Sequence, residues 1–316
     1  MIAGGVDQVF RLSDGRALGF DDVGPRDGWP IFYSHGVPSA RAEWRMWGAE
    51  DLFRESRVRL VAVDRPGMGS STFQPGRRLT DWPSDIEALS HGFGIDRFSV
   101  LGYSGGGPYA AVCAAMIPGC VASVALVSSL APFVLPGMTD DLIPSNVRFL
   151  GLASKRPWLF RVAYRQLSLI AKLAPKRYLR RALASFQEPD RSVFARPAVH
   201  GPVLAAAGSP RGEAADVRLV IGDWGFNLAD VEPPVQLWHG DRDRNASLAM
   251  FRYLARSIPS SRADLVPGEG HLSLIFNHAS DILADLVRAA EQPDQQEAGR
   301  AGPAIAPADS LRATGE

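Results

Sequence analysis

The sequence predicts an α/β protein, a mostly parallel, doubly wound sheet with an inserted helical cap. Three observations carry this reading. First, Phe98 to Thr139 contains no charged residue. Gly105-Gly106-Gly107-Pro108, Pro118-Gly119 and Pro132 cut it into pieces far shorter than the roughly 20 apolar residues a membrane helix needs. Strands covered on both faces read as such unbroken apolar runs, so these pieces belong to the centre of a parallel sheet. Second, strand patterns alternate with helix patterns along both ends of the chain. Third, residues 133–225 break that rhythm with a helical, amphipathic stretch.

The elements follow in order. Gln8–Leu12 and Ala17–Asp21 flank Ser13-Asp14-Gly15-Arg16, a hairpin signal. Pro30–Ser34 and Arg59–Val63 read as short buried strands, the second ended by Asp64-Arg65-Pro66-Gly67. Thr80–Phe93 is a predicted helix, with Thr80 as N-cap and Trp82, Ile86, Leu89 and Phe93 at helical spacing. The uncharged stretch resolves into strand Phe98–Tyr103, helix Pro108–Ile117 and strand Val121–Ser128. In the insert, Phe160, Ala163, Leu167, Ile170 and Ala174 form one stripe, and Val217–Ile221 reads as strand or helix. An alternative is that these helices merely cover one face of the sheet. Val235–His239 and Ala263–Val266 are late strands, and Ser280–Ala290 is a closing helix. The expected division is a core of residues 1–132 and 226–290, a cap of 133–225 and a disordered tail of 291–316.

Composition excludes several function classes. The 316 residues hold 34 Lys and Arg against 34 Asp and Glu, with no basic excess for nucleic acid. Cys113 and Cys120 are too few for a disulfide scaffold or a zinc cluster. Met1–Gly15 has neither a basic nor an apolar leader region, so a cytoplasmic protein is expected. The zero charge is a cancellation: residues 133–225 carry 14 basic and 7 acidic residues, while the rest is net acidic.

The chemistry concentrates at Gly102-Tyr103-Ser104-Gly105-Gly106, between a buried strand and a buried helix. That context marks a nucleophile elbow: a tight turn that exposes the Ser104 hydroxyl, with Gly102 and Gly106 relieving the crowding. A serine needs a base, and on such an elbow the partners follow in the order Ser, acid, His. Of six histidines, His271 follows the last strand in Pro267-Gly268-Glu269-Gly270-His271. His278 lies about two helical turns further on, and His200 falls in the cap. The orienting carboxylate is sought in Gly240-Asp241-Arg242-Asp243. Asp243 fits the spacing better, and Asp241 suits the turn itself. The oxyanion donors expected are the amides of Gly105 and of Val37, in the loop His35-Gly36-Val37-Pro38. His35 reads as a brace for this loop, with a buried structural histidine and a direct substrate contact as the alternatives.

Taken together, His35-Gly36, Asp64-Arg65-Pro66-Gly67-Met68-Gly69-Ser70-Ser71, Gly102–Gly106, Gly240–Asp243 and Gly270-His271 make the sequence resemble the α/β-hydrolase fold superfamily over roughly residues 8–290. It is similar to the capped bacterial serine hydrolases. The resemblance implies a serine hydrolase of carboxylesterase or lactonase type that cleaves an ester-type bond through Ser104, His271 and Asp243. Ser104 argues against the Asp-nucleophile epoxide and haloalkane hydrolases, and Gly105 against the aminopeptidase-like members with Trp after the serine. Carbon–carbon bond hydrolases, perhydrolases, lyases and cyclases on the same scaffold stay open, as does a ligand-binding receptor. No metal or organic cofactor is implied. The expected partner is a small-molecule ester-type substrate, with no nucleic acid and no membrane span, and a homo-oligomer is admitted. His35, Gly36, Tyr103, Phe133, Trp158 and Trp224 are pocket candidates, with Phe149, Phe160 and Tyr164 as further wall residues.

Overall fold

The computed structural model describes residues 5–47, 51–207 and 209–292. The expected tail therefore lies outside the described residues except for Glu291 and Gln292. The strands are β1 (Gly5–Arg11), β2 (Ala17–Val23), β3 (Trp29–Ser34), β4 (Val58–Val63), β5 (Phe98–Tyr103), β6 (Val121–Val127), β7 (Val235–Gly240) and β8 (Ser261–Val266). They form an eight-stranded sheet in the order β1-β2-β4-β3-β5-β6-β7-β8. Only the β1–β2 and β2–β4 pairs are antiparallel; the other five are parallel.

The unbroken apolar runs have a simple cause. Successive strand residues point to opposite faces, and both faces are covered. Phe32, Val61, Val100 and Val124 enter one core, beneath α2 (Trp82–Phe93), α3 (Gly107–Met116) and α10 (Leu248–Ser257). Their neighbours Ile31, Leu60, Leu101 and Ala125 enter the other, beneath α1 (Asp51–Glu55) and α11 (His271–Glu291). At the β8 edge the outward Arg262 pairs with Asp264 at 2.9 Å and with Asp285, so charge blunts the exposed strand.

Among the described residues, six α-helices run between β6 and β7: α4 (Pro144–Lys155), α5 (Pro157–Leu173), α6 (Pro175–Ser185), α7 (Asp190–Phe194), α8 (Pro197–Ala206) and α9 (Pro210–Ile221). Five begin on proline, whose fixed φ suits a first helical position and whose missing N–H removes an orphan donor. Val217–Ile221 is helical, the end of α9. In α5 the buried stripe is Phe160, Tyr164, Ser168 and Ala171, rotated from the one expected. Two boundaries also differ. Thr80 sits inside a short 3₁₀ turn before α2, where Asp81 accepts the Arg78 amide at 2.8 Å. The closing helix begins nine residues early, at His271, for a reason that lies in the site. Among the described residues, no helix is long and apolar enough to cross a membrane.

Candidate active site

The carboxyl ends of the parallel strands converge, as ligand sites in open α/β sheets require. Ser34 of β3 lies beside Gly102 of β5, and Tyr103 beside Val127 of β6. Ser104 follows β5 directly with φ of 54°, a left-handed conformation that strains a side-chain-bearing residue. The glycines around it permit this turn. A Cβ at Gly102 would stand 2.5 Å from the Gly106 carbonyl oxygen, and one at Gly106 only 1.9 Å from that of Ser34.

The structure brings Ser104, His271 and Asp243 into one hydrogen-bonded chain. Ser104 Oγ lies 2.9 Å from His271 Nε2, and His271 Nδ1 lies 2.7 Å from Asp243 Oδ2. The other Asp243 oxygen accepts the Asn245 and Ala246 amides at 2.8 and 2.9 Å, which fixes the carboxylate. Asp241 instead accepts the Gly268 amide at 2.8 Å and holds the turn. Burial opposes charge on the Asp243 carboxyl, but the His271 imidazole and its hydrogen bond outweigh this and hold it below its ordinary value. Burial likewise opposes an imidazolium at His271, but Asp243, then Asp190 and Glu43, raise it above the usual histidine value.

Two loops meet at Ser104. A Cβ on Gly105 would lie 2.7 Å from Val37 Cγ2 and 3.3 Å from the Val37 nitrogen. The Val37 backbone thus lies against the start of the turn, where helix-opening amides have no intrahelical partner. Gly36 donates its amide to Glu43 at 2.7 Å, and Glu43 also accepts the Tyr33 hydroxyl. Beneath the loop, buried Arg65 donates to the carbonyls of His35 and, at 2.9 Å, Gly36. Arg65 is held at 2.7 Å by Asp216, which also pairs with Arg77. Burial works against the Asp216 charge, but the two guanidiniums depress its carboxyl to about 2.

Asp190, from α7, is the site residue that sequence reasoning missed most completely. Its carboxylate accepts the amides of His271, Leu272 and Ser273 at 2.9, 2.8 and 2.9 Å. It caps α11 from a segment 81 residues away. Gly270 gives α11 no side-chain cap of its own, which is why the local sequence hides the helix start. Further tethers join the inserted helices to the site. Asp216 of α9 holds Arg65, and Asn146 of α4 donates to Asn245 beside the acid loop at 2.7 Å.

A cavity of about 390 Å³ opens over Ser104 and His271. Gly36, Val37, Tyr103 and Glu43 line its floor, and Phe149, Leu150, Tyr164, Leu167 and Tyr178 of α4–α6 roof it. Four candidates lie elsewhere. His35 is buried under the loop with Nδ1 2.9 Å from the Gly36 carbonyl, and burial together with Arg65 keeps its imidazole well below the usual value. Phe133 packs against the core and donates its amide to Ile221 at 2.9 Å. Trp224 is buried, bonded through Nε1 to the Val220 carbonyl and stacked on Phe226. Trp158 faces outward on α5, 59% exposed. Phe160 is core beneath the roof, not a wall. Among the described residues no cluster of His, Cys, Asp and Glu could hold a metal ion.

Residues 31–286 match the alpha/beta hydrolase family. The chain belongs to that family. It is similar to a non-heme chloroperoxidase of Streptomyces lividans, 34% identical over 139 residues, 43% of this chain and 49% of that protein. It is similar also to a bifunctional esterase/perhydrolase of Acinetobacter calcoaceticus, 33% identical over 138 residues, 42% and 49% of the two chains. The match thus spans about half the length of these curated relatives. Among solved structures, an esterase from Rhodococcus sp. ECU1013 superposes with a TM-score of 0.64 at 21% identity, covering 90% of this chain and 98% of that one. An aryl esterase described as putative, from Burkholderia cenocepacia, gives 0.66 at 20% identity, with coverage of 90% and 98%. At these identities the structures speak for the fold.

Proposed function

We propose that this alpha/beta hydrolase cleaves a carboxylic ester of a small, largely apolar molecule through an acyl-enzyme on Ser104. The observation that carries the reading is the Ser104–His271–Asp243 hydrogen-bond chain at the floor of a cavity sized for a small ligand. Ser104 Oγ attacks the ester carbon while His271 Nε2 takes its proton. Asp243 holds Nδ1–H and thereby the tautomer that leaves Nε2 free to accept. The Val37 and Gly105 amides receive the oxyanion, each donor contributing about 3 kcal/mol to the transition state. His271 returns the proton to the departing alcohol. It then activates water, which releases the acid and restores Ser104. In this reading residues 133–225 act as a cap that closes the acyl pocket.

The wall sets the substrate class. Phe149, Leu150, Leu167 and Leu142 present hydrocarbon, with Tyr164, Tyr178, Asn146, Asn245, Ser39, Ser185 and Glu43 as polar groups among them. The test is hydrolysis of p-nitrophenyl esters of graded acyl length by the wild type and by Ser104→Ala. Turnover lost in the variant supports the reading; full activity in it would overturn the mechanism. The relatives named for chloroperoxidase and perhydrolase activity favour a second reaction from the same intermediate. Hydrogen peroxide would attack the acyl-Ser104 carbon in place of water, giving a peracid and free Ser104. Peracid formed from ester and peroxide, and lost in Ser104→Ala, is the corresponding outcome.

A further inference from the structure

The three helices that roof the cavity have an outer face that the reaction does not use. Residues 144–185 contain ten Lys and Arg and no Asp or Glu. All ten basic side chains are exposed. Among the described residues none of the ten is joined to a carboxylate. The core treats its cations differently: Arg41, Arg59, Arg65 and Arg77 are each paired with aspartate. So dense an unmatched charge repels itself unless something anionic lies against it.

The same face is apolar. Trp158, Val162, Leu169 and Leu173 are 59%, 47%, 54% and 76% exposed. Their spacings of four, seven and four residues place them on one stripe of α5, opposite the buried Phe160, Tyr164 and Ala171. Arg165 and Lys172 stand within that stripe, and a surface groove continues it to Arg211 of α9. Exposed apolar side chains grouped on one face in this way mark an interaction site. A helix with one packed face and one face of Trp, Leu, Val, Arg and Lys suits the boundary between headgroups and acyl chains.

We propose that the outer face of α5, with the basic residues of α4 and α6 beside it, docks the protein on an anionic lipid surface. Trp158, Leu169 and Leu173 enter the acyl boundary, and Arg165 and Lys172 meet the headgroup phosphates. Two features select this occupant. A second copy seated on this face would set like charges against each other. A nucleic acid rewards Arg and stacking aromatics but gains little from exposed Leu and Val. Docking in this way lays the roof of the cavity on the bilayer, with the Ser104 floor behind it.

The test is co-sedimentation of the full chain with vesicles of phosphatidylcholine, alone or with about 30% phosphatidylglycerol, at roughly 0.1 M salt. The mixed vesicles are expected to retain at least about tenfold more protein than the neutral ones, an excess that high salt removes. Arg165→Glu with Lys172→Glu should bring retention to the neutral level, and Leu169→Ser should lower it about fivefold. Melting temperature and turnover of a soluble ester should stay at wild-type values in these variants, since none of the three residues lines the cavity. Equal retention on both vesicles, or retention unchanged in the variants, would overturn the proposal. So would a self-association or an oligonucleotide complex that the variants abolish without any vesicle binding.

Discussion

Asp190→Ala is the perturbation that best separates this account from a triad considered alone. Asp190 touches neither substrate nor Ser104, yet it accepts three amides at the start of α11, the first belonging to His271. It is buried, so water replaces it poorly. Losing a charged cap and leaving buried donors unpaired costs about 3 kcal/mol, which lowers the melting temperature by roughly 6 °C in a domain of this size. The freed helix start lets the imbalance reach the imidazole, and a displacement near 1 Å costs on the order of 10²-fold in kcat. Asp190→Asn separates charge from shape. His271 is faced by Asp243 and His239 from the acid side, Asp190 from the insert, Glu43 from the β3 loop and Tyr103 from β5. Asp190 is one of the groups that raise its pKa, so removing the charge moves the acidic limb of kcat/KM to lower pH. Stopped-flow or plate assays across pH, beside calorimetry, read both effects. A wild-type melting temperature in Asp190→Ala, or an unmoved limb in Asp190→Asn, would refute the reasoning.

Other outcomes follow from the same geometry. In the wild type the acidic limb of kcat/KM should lie above the ordinary histidine value, because the base must be neutral and His271 is raised; Asp243→Asn should lower both the limb and, by about 10⁴-fold, kcat. Gly106→Ala should prevent soluble expression, since its Cβ would fall 1.9 Å from the Ser34 carbonyl oxygen, whereas Gly119→Ala meets nothing within 4 Å and should express normally. Arg65→Met strands the buried Asp216 carboxylate beside Arg77 and frees the His35 and Gly36 carbonyls; a loss of about 3–5 kcal/mol in denaturant unfolding is expected. His35→Phe should retain measurable kcat, because His35 lies under the loop and outside the cavity; an inactive but folded variant would return it to the site.

What the sequence reveals depends on how locally each feature is encoded. The sheet was legible because Val100 and Leu101, or Val124 and Ala125, face opposite cores and leave no polar alternation to confuse the reading. The elbow was legible because a strand, a strained turn and a helix must all be specified within a few residues. Asp243 and His271 follow strand ends, so spacing from β7 and β8 located them. Asp190 carries no such mark: it is a single carboxylate in the insert, and only the tertiary fold sets it on the amides of α11. Of the pocket aromatics, Tyr103, Phe149 and Tyr164 line the cavity while Phe133, Trp158 and Trp224 lie outside it, for a related reason. Helix α5 is apolar on two faces, and composition does not say which one packs, so the sequence points to both Trp158 and Tyr164 as wall residues, of which Tyr164 reaches the cavity and Trp158 faces outward. Phe133 and Trp224 flank the helices between β6 and β7, and both pack against the core.

The most direct measurement of the central claim is intact-protein mass spectrometry after rapid quenching with a short activated ester, followed by peptide mapping. The account predicts a single acyl adduct on the peptide carrying Ser104, which persists longer in His271→Ala if formed there and is absent in Ser104→Ala. Turnover of the ester with no adduct on Ser104, or with the adduct on another residue, would contradict it.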